Sequence, residues 1–330
     1  MAIANNEIIF RSGLTEIHVE PEAHTMGYVS ALFIADAMKK AAERGERPML
    51  WLMAAPSGFA FYDAFVELVR NDNDLADICH QAAWFQFDDY PIPRDDPRFP
   101  ITFRYLLENR FFDPLRKACG RLEDVFLLEI GSKDDQRICD EYAQLLIESA
   151  ENPKNYLIQL KGIGMDGHWG FHSHEISLYA PPSIIRVDMN DANIHQQKID
   201  WPQYFRETSD VPRYAFTCNV QLFMKARMIV DVVPQASKIY SVLAAYGNDM
   251  ISNNIPSSLL KTHPNSYAFL TQDSAWALLK YREEISQNKF AKISHEVLHR
   301  LESIWKSDNR KIEEVNIRIM RSVLSELEML

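Results

Sequence analysis

The sequence predicts an α/β protein: an open, mostly parallel sheet with helices on both faces, Rossmann-like in plan. Short apolar runs such as Met49-Leu50-Trp51-Leu52-Met53-Ala54 and Tyr156-Leu157-Ile158-Gln159-Leu160 have the length of buried strands, and stretches of helical period lie between them. That alternation indicates a parallel sheet covered by helices. Turn residues follow both runs, as Ala55-Pro56-Ser57-Gly58 and as Gly162-Ile163-Gly164-Met165-Asp166-Gly167-His168. Strand ends of this kind are where open α/β sheets bind ligands. At 330 residues, 47% hydrophobic and 25% charged, the chain has the length and composition of a soluble protein with a large core.

Taken in order, Ile8-Ile9-Phe10 and Ile17-His18-Val19 are two short strands. Residues 25–44 form an amphipathic helix with Tyr28, Ala31, Leu32, Ala35 and Met38 at helical spacing. The strand at 48–54 turns at Ser57 into a helix with Tyr62, Phe65, Val66 and Val69 on one side. Ala82 to Phe87 is the next strand, followed by Asp88-Asp89-Tyr90 and a proline-punctuated loop. Residues 102–117 are aromatic and helical, 125–130 a strand, and 134–149 a helix with Ile138, Tyr142 and Leu145 inward. Beyond the 162–168 loop, residues 172–198 read as irregular and polar, a segment suited to be a lid. Order resumes at 210–217 and in a strand at 227–233, with Lys238 at the start of the next helix. Residues 288–330 carry two apolar stripes, Phe290 to Ile304 and Ile312 to Leu327, separated by a Ser307-Asp308-Asn309 cap. The expected organisation is one α/β domain over 1–287 and a helical extension over 288–330. That extension either packs back or makes a subunit contact, and a homo-oligomer is expected.

Acidic residues outnumber basic ones 46 to 35, a net charge of −11, which argues against nucleic-acid or anionic-membrane partners. Any anionic ligand must be caught locally. Cys79, Cys119, Cys139 and Cys218 have no zinc-site spacing and read as reduced thiols. With no apolar run near ~18 residues and no basic-then-apolar start, a cytoplasmic location is expected.

Chemistry concentrates at three places. Gly162, Gly164 and Gly167 permit tight turns and close approach, while Asp166 and His168 set a carboxylate beside an imidazole. The alternative for this stretch is an ordinary turn. Ser57 and the Gly58 N–H stand between a strand and a helix N-terminus, an arrangement that cradles phosphate, although many turns share it. Asp88 and Asp89 suit acid–base work because neighbouring carboxylates raise each other's pKa; the alternative is a solvated turn. His168, His172, His174 and Glu175 contain metal-ligand types, but nothing places them on one helix face, and no metal is expected.

These pieces stand in the order found in the glucosamine-6-phosphate deaminase and 6-phosphogluconolactonase superfamily, and the chain resembles its deaminase branch over roughly residues 25–280. Pro56-Ser57-Gly58 stands at that family's phosphate loop, and Phe87-Asp88-Asp89-Tyr90 is similar to its Met-Asp-Glu-Tyr segment. Gly162 to His168 resembles its Gly-x-Gly-x-Asp-Gly-His. Val211-Pro212-Arg213-Tyr214-Ala215-Phe216-Thr217, Lys238 and His263-Pro264 resemble its later blocks. The resemblance implies a phosphorylated sugar as substrate, with no organic cofactor. By position His168 would open the sugar ring, Asp166 would orient that imidazole, and Asp88 would carry the proton between C1 and C2. Asp89, Gly164 and Gly167 would bind the substrate, and Ser57, Gly58 and Lys238 would hold the phosphate.

Departures from the pattern are specific. The phosphate loop is shorter, with Phe59-Ala60-Phe61 in place of small and hydroxyl residues. The family's glutamate falls on Ser173, leaving Glu175 two residues on as its substitute. The phosphate-clamping arginine has no counterpart near Asp191-Ala192-Asn193. The leading expectation is an aldose–ketose isomerase or deaminase acting on an amino-sugar phosphate such as glucosamine 6-phosphate. The alternatives are a sugar-phosphate lactonase and a non-catalytic sugar-phosphate-binding protein.

Overall fold

A computed structural model describes residues 8–286 apart from 190, 248 and 281. The proposed extension over 288–330 lies outside the described residues.

The main sheet contains β1 (Ile8–Ser12), β2 (Thr15–Glu20), β3 (Arg47–Leu52), β4 (Ala83–Gln86), β6 (Asp124–Phe126), β7 (Asn155–Lys161), β10 (Met228–Val233) and β11 (Ser266–Thr271). Its order is β1-β2-β11-β10-β7-β3-β4-β6. Every neighbouring pair is parallel except the β1–β2 hairpin. From β3 the chain builds outward through β4 and β6. It then returns to the other side of β3 with β7 and continues through β10 to β11. The order therefore reverses between β3 and β7, and the crevice beyond their C-terminal ends is the natural ligand site.

A second sheet of β5 (Asp88–Asp89), β9 (Tyr214–Cys218) and β8 (Ile184–Asp188) is antiparallel, pairing Asp88 with Thr217 and Asp89 with Phe216. Because β5 follows β4 after a single residue, the small sheet delivers Asp88 to the rim of the large one. Helices Ala23–Glu43 and Phe59–Asn71 pack together on one face, and the second buries Phe61, Tyr62, Phe65, Val66 and Val69 as its periodicity requires.

Three elements differ from expectation. The strand expected over 125–130 is only Asp124–Phe126, because the Leu128 N–H donates to the Gln86 side chain and the Leu128 carbonyl accepts from Arg104, which ends the ladder. Helix Asp135–Glu151 turns Cys139, Tyr142, Ala143 and Leu146 fully inward, with Ile138 and Leu145 at the margin. The segment read as irregular holds β8 and a helix, Asp191–Asp200. The strand has only five residues and the helix is largely polar, so neither leaves a strong periodic signature.

Candidate active site

A cavity of about 300 Å³ opens at the switch point. The β3 turn contributes Ser57, the β4–β5 segment Phe87 and Asp88, and the loop after β7 Gly162, Gly164 and His168. Gln235 and Lys238 follow β10, while Gln197 and Trp201 come from helix Asp191–Asp200 and its end.

The imidazole is held tightly. His168 Nδ1 lies 2.6 Å from Asp166 Oδ1, and the His168 backbone N–H donates to the same oxygen at 3.1 Å. Burial alone would raise the Asp166 carboxyl; the His168 ring and the backbone donors outweigh it and draw it down to about 2. An ionised Asp166 requires the proton on Nδ1, which leaves Nε2 as the basic nitrogen. Gly164 fits beneath the ring because it has no side chain: a Cβ there would stand 2.2 Å from His168 Cε1. Gly167 takes φ +89°, the left-handed region that favours glycine, and its carbonyl accepts from the Ser257 N–H at 3.0 Å.

The two consecutive aspartates do different things because successive side chains of a strand point to opposite faces. Asp88 lines the cavity, while Asp89, fully buried, does not. Asp89 accepts from Gln86 Nε2 at 3.0 Å and from the backbone N–H groups of Tyr90, Phe103 and Arg104. Burial pushes its carboxyl up, and the Arg104 charge with these donors pulls it back. Among the described residues no such donor reaches the Asp88 carboxyl, so burial, with the like charge of Asp89 added, raises it well above the usual range. One acid anchors the start of the helix at Phe103; the other is a protonatable group facing the cavity.

Elsewhere in the lining, Ser57 Oγ donates to Gln235 Oε1 at 2.9 Å. Lys238 lines the cavity at the start of the segment leading into helix Ile239–Tyr246. Besides Asp89 and Gly167, which do not line the cavity, two further expected site residues fall elsewhere. The Gly58 N–H donates to the Ala55 carbonyl at 3.0 Å, closing the 3-10 turn Pro56–Gly58, so it does not serve as the expected phosphate donor. Glu175 is exposed beside exposed His174 and does not line the cavity. The unusual loop after Trp169 accounts for this, since Trp169 and His172 bridge one another and turn the chain away. His172 is buried, accepts at Nδ1 from the Val220 N–H and bonds the Ile176 carbonyl through Nε2. Among the described residues no group of three or more metal-ligand side chains is assembled.

Sequence reading missed Gln235, Gln197 and Trp201. Gln235 carried a usable signal, since it follows Pro234 at the end of a buried strand; Trp201, at the end of a polar helix, carried none.

The parallel sheet with its switch-point cavity, an ionised Asp166 bonded to His168 and a buried carboxylic acid describe an α/β fold with a site able to handle protons. Comparison with known proteins narrows this class. No protein-family model matches the chain. It is 26% identical over 178 residues to the glucosamine-6-phosphate deaminase of Geobacillus sp. (strain WCH70), covering 54% of this chain and 65% of that relative, just under two thirds of its length. With the deaminase of Alkaliphilus metalliredigens (strain QYMF) it shares 23% identity over 267 residues, covering 78% of this chain and 98% of the relative. A monomeric glucosamine-6-phosphate deaminase, described as a missing link of the NagB superfamily, has a similar structure. The TM-score is 0.66 at 20% identity, covering 79% of this chain and 98% of that one. The 6-phosphogluconolactonase of Trypanosoma brucei gives a TM-score of 0.59 at 13% identity, covering 82% and 99%.

The chain is thus related to glucosamine-6-phosphate deaminases and has the fold they share with 6-phosphogluconolactonases, as the four sequence blocks implied. Among the described residues no helix is long and apolar enough to cross a membrane.

Proposed function

We propose that the chain is a sugar-phosphate isomerase or deaminase acting on an amino-sugar phosphate such as glucosamine 6-phosphate. One observation carries the reading: Asp88, a buried carboxyl raised well above its ordinary range, lines the same cavity as the Asp166-held His168. An isomerase needs two separate proton carriers, one for ring opening and one for C1–C2 transfer, and each such group contributes roughly 10² to 10⁴ in rate.

In this reading His168 Nε2 takes the O1 proton and returns it to the ring oxygen, breaking the C1–O5 bond and freeing the aldehyde. Asp88 then removes the C2 proton while the C2 ammonium gives a proton to O1, forming an enol across C1 and C2, and Asp88 gives its proton back at C1. The nitrogen at C2 is left as an imine; water adds there and ammonia leaves, giving the 2-ketose phosphate. Ser57 and Lys238 face the phosphate, a charge-assisted contact for the lysine. Gly58 and Glu175 have no part in this scheme.

The test is direct assay. Release of ammonia and ketose phosphate from glucosamine 6-phosphate supports the proposal, and its absence at any concentration defeats it. A second reading, sugar-phosphate lactonase, is favoured by the exposure of Glu175, which leaves the Asp166–His168 pair as a dyad able to activate water for ester hydrolysis. Hydrolysis of 6-phosphogluconolactone without ammonia release would establish it. Self-association through residues 288–330 is likewise a proposal; light scattering on the full chain should give a mass above one protomer, and a single-chain mass excludes it.

A further inference from the structure

The interior parallel strands β7 and β10 are apolar for most of their length, as strands covered on both faces normally are. Each nevertheless places one charged residue opposite the other. Lys161, the last residue of β7, registers against Asp231 on β10, and its Nζ lies 2.8 Å from Asp231 Oδ2 with both side chains wholly buried. The Tyr246 hydroxyl donates to the same carboxylate oxygen, and among the described residues Asp231 Oδ1 has no hydrogen-bond partner. A buried pair is a weak source of stability, because apolar replacement of both partners is often neutral or stabilising.

What sits above the pair gives it a use. Lys161 Nζ lies 4.8 Å from the centre of the Trp169 ring, and Trp169 is the residue after His168. On the other side Nζ approaches Ser257 Oγ at 3.5 Å; that hydroxyl donates to the His168 carbonyl at 3.3 Å, and the Ser257 N–H donates to the Gly167 carbonyl. The ammonium therefore touches groups that flank His168 on both sides while having no access to the cavity.

We infer that Lys161, held by Asp231 and Tyr246, is a positioning residue that fixes the His168 loop from beneath through Trp169 and Ser257. Burial draws the Lys161 ammonium down and Asp231 opposes it, so the partner favours the charged form that makes both contacts. The inference rests on the reading of His168 as the ring-opening base, but its primary test does not need a substrate.

The experiment compares wild type with the double variant Lys161→Met/Asp231→Leu and with Ser257→Ala. The first readout is the downfield imidazole Nδ1–H proton resonance of the short His168–Asp166 hydrogen bond in the free protein; the second is kcat and KM on glucosamine 6-phosphate. The double variant should melt no lower than wild type. Its Nδ1–H resonance should broaden or vanish, and kcat should fall on the order of 10-fold to 100-fold with KM within about twofold, the cost of a misplaced catalytic group. Ser257→Ala should show the same change in weaker form, and it decides the matter if the double variant does not fold. A sharp, unshifted resonance overturns the inference whether or not the protein deaminates. A changed resonance in a protein that never releases ammonia sustains the positioning role and rejects only the substrate reading.

Discussion

The two ends of the cavity are built on different principles. At the acid–base end, geometry is fixed by backbone: Asp166 accepts from both the ring and the N–H of His168, Gly164 makes room for the imidazole, and β5 aims Asp88 inward. At the anion end, side chains make the arrangement. Ser57 pairs with a neutral amide, Gly58 spends its N–H within its own turn, and Phe59 opens the helix with Arg110 over its ring and Trp201 against its edge. Lys238 is the one cationic side chain lining the cavity among the described residues. The contrast teaches that turnover should depend steeply on the first end, while the second should tune affinity and choice of substrate.

Asp88→Asn should have the largest effect. It keeps the shape of the side chain and removes the proton carrier, so kcat should fall by roughly 10² to 10⁴ with KM little changed. The same variant should be more stable than wild type at neutral pH. Asp88 has a raised folded-state pKa, so its burial is tolerated below the ordinary carboxylate pKa and destabilises as pH rises through the raised value. Melting curves of the two proteins should coincide near pH 4 and separate at pH 7. A variant no more stable at pH 7 would contradict the burial argument.

Gly164→Ala comes next. The added Cβ meets the His168 ring, a side chain that can swing, so the ring rather than the backbone should yield. A displacement of about 1 Å costs on the order of 10² in kcat. Retained far-UV circular dichroism with wild-type kcat would show that the ring position is unimportant.

Changes at the anion end should move KM instead. Lys238→Met should raise KM for a phosphorylated substrate by about 10-fold or more, consistent with loss of a charge-assisted hydrogen bond, and leave kcat within a few-fold. Gln235→Leu, which frees Ser57 from its amide partner, should change KM by a few-fold at most. A kcat collapse in either would erase the distinction between the two ends.

The smallest effect concerns stability alone. Burial pulls the His172 imidazole down to about 4, so the neutral ring, bonded to the Val220 N–H and the Ile176 carbonyl, stabilises the fold above its ordinary pKa near 6.5. That contribution should be lost as pH falls from about 6.5 toward 4, at most about 3 kcal/mol. Urea unfolding of wild type and His172→Gln across this window checks it; parallel pH dependences would contradict it.

Legibility in the sequence follows the same division. The acid–base loop could be read because its residues are contiguous, follow a buried strand and contain glycines whose need is geometric. Asp88 could be placed for the same reason, but the division of labour with Asp89 required knowing that both lie in an extended pair. The anion end was less readable because it is assembled from the ends of β3 and β10 and from a polar helix, with Gln235 and Trp201 brought in by tertiary packing. Glu175 was misplaced by sequence proximity, since two residues of irregular chain after the Trp169–His172 bridge suffice to carry it to the surface.

The central claim is that Asp88 moves a proton between adjacent sugar carbons in a cavity it shares with His168. Turnover of glucosamine 6-phosphate in deuterium oxide, with wild type and Asp88→Asn, tests it most directly. The account predicts ammonia and C1-deuterated ketose phosphate from wild type and neither from the variant, which still binds the sugar. Equal ammonia release by both proteins would contradict it.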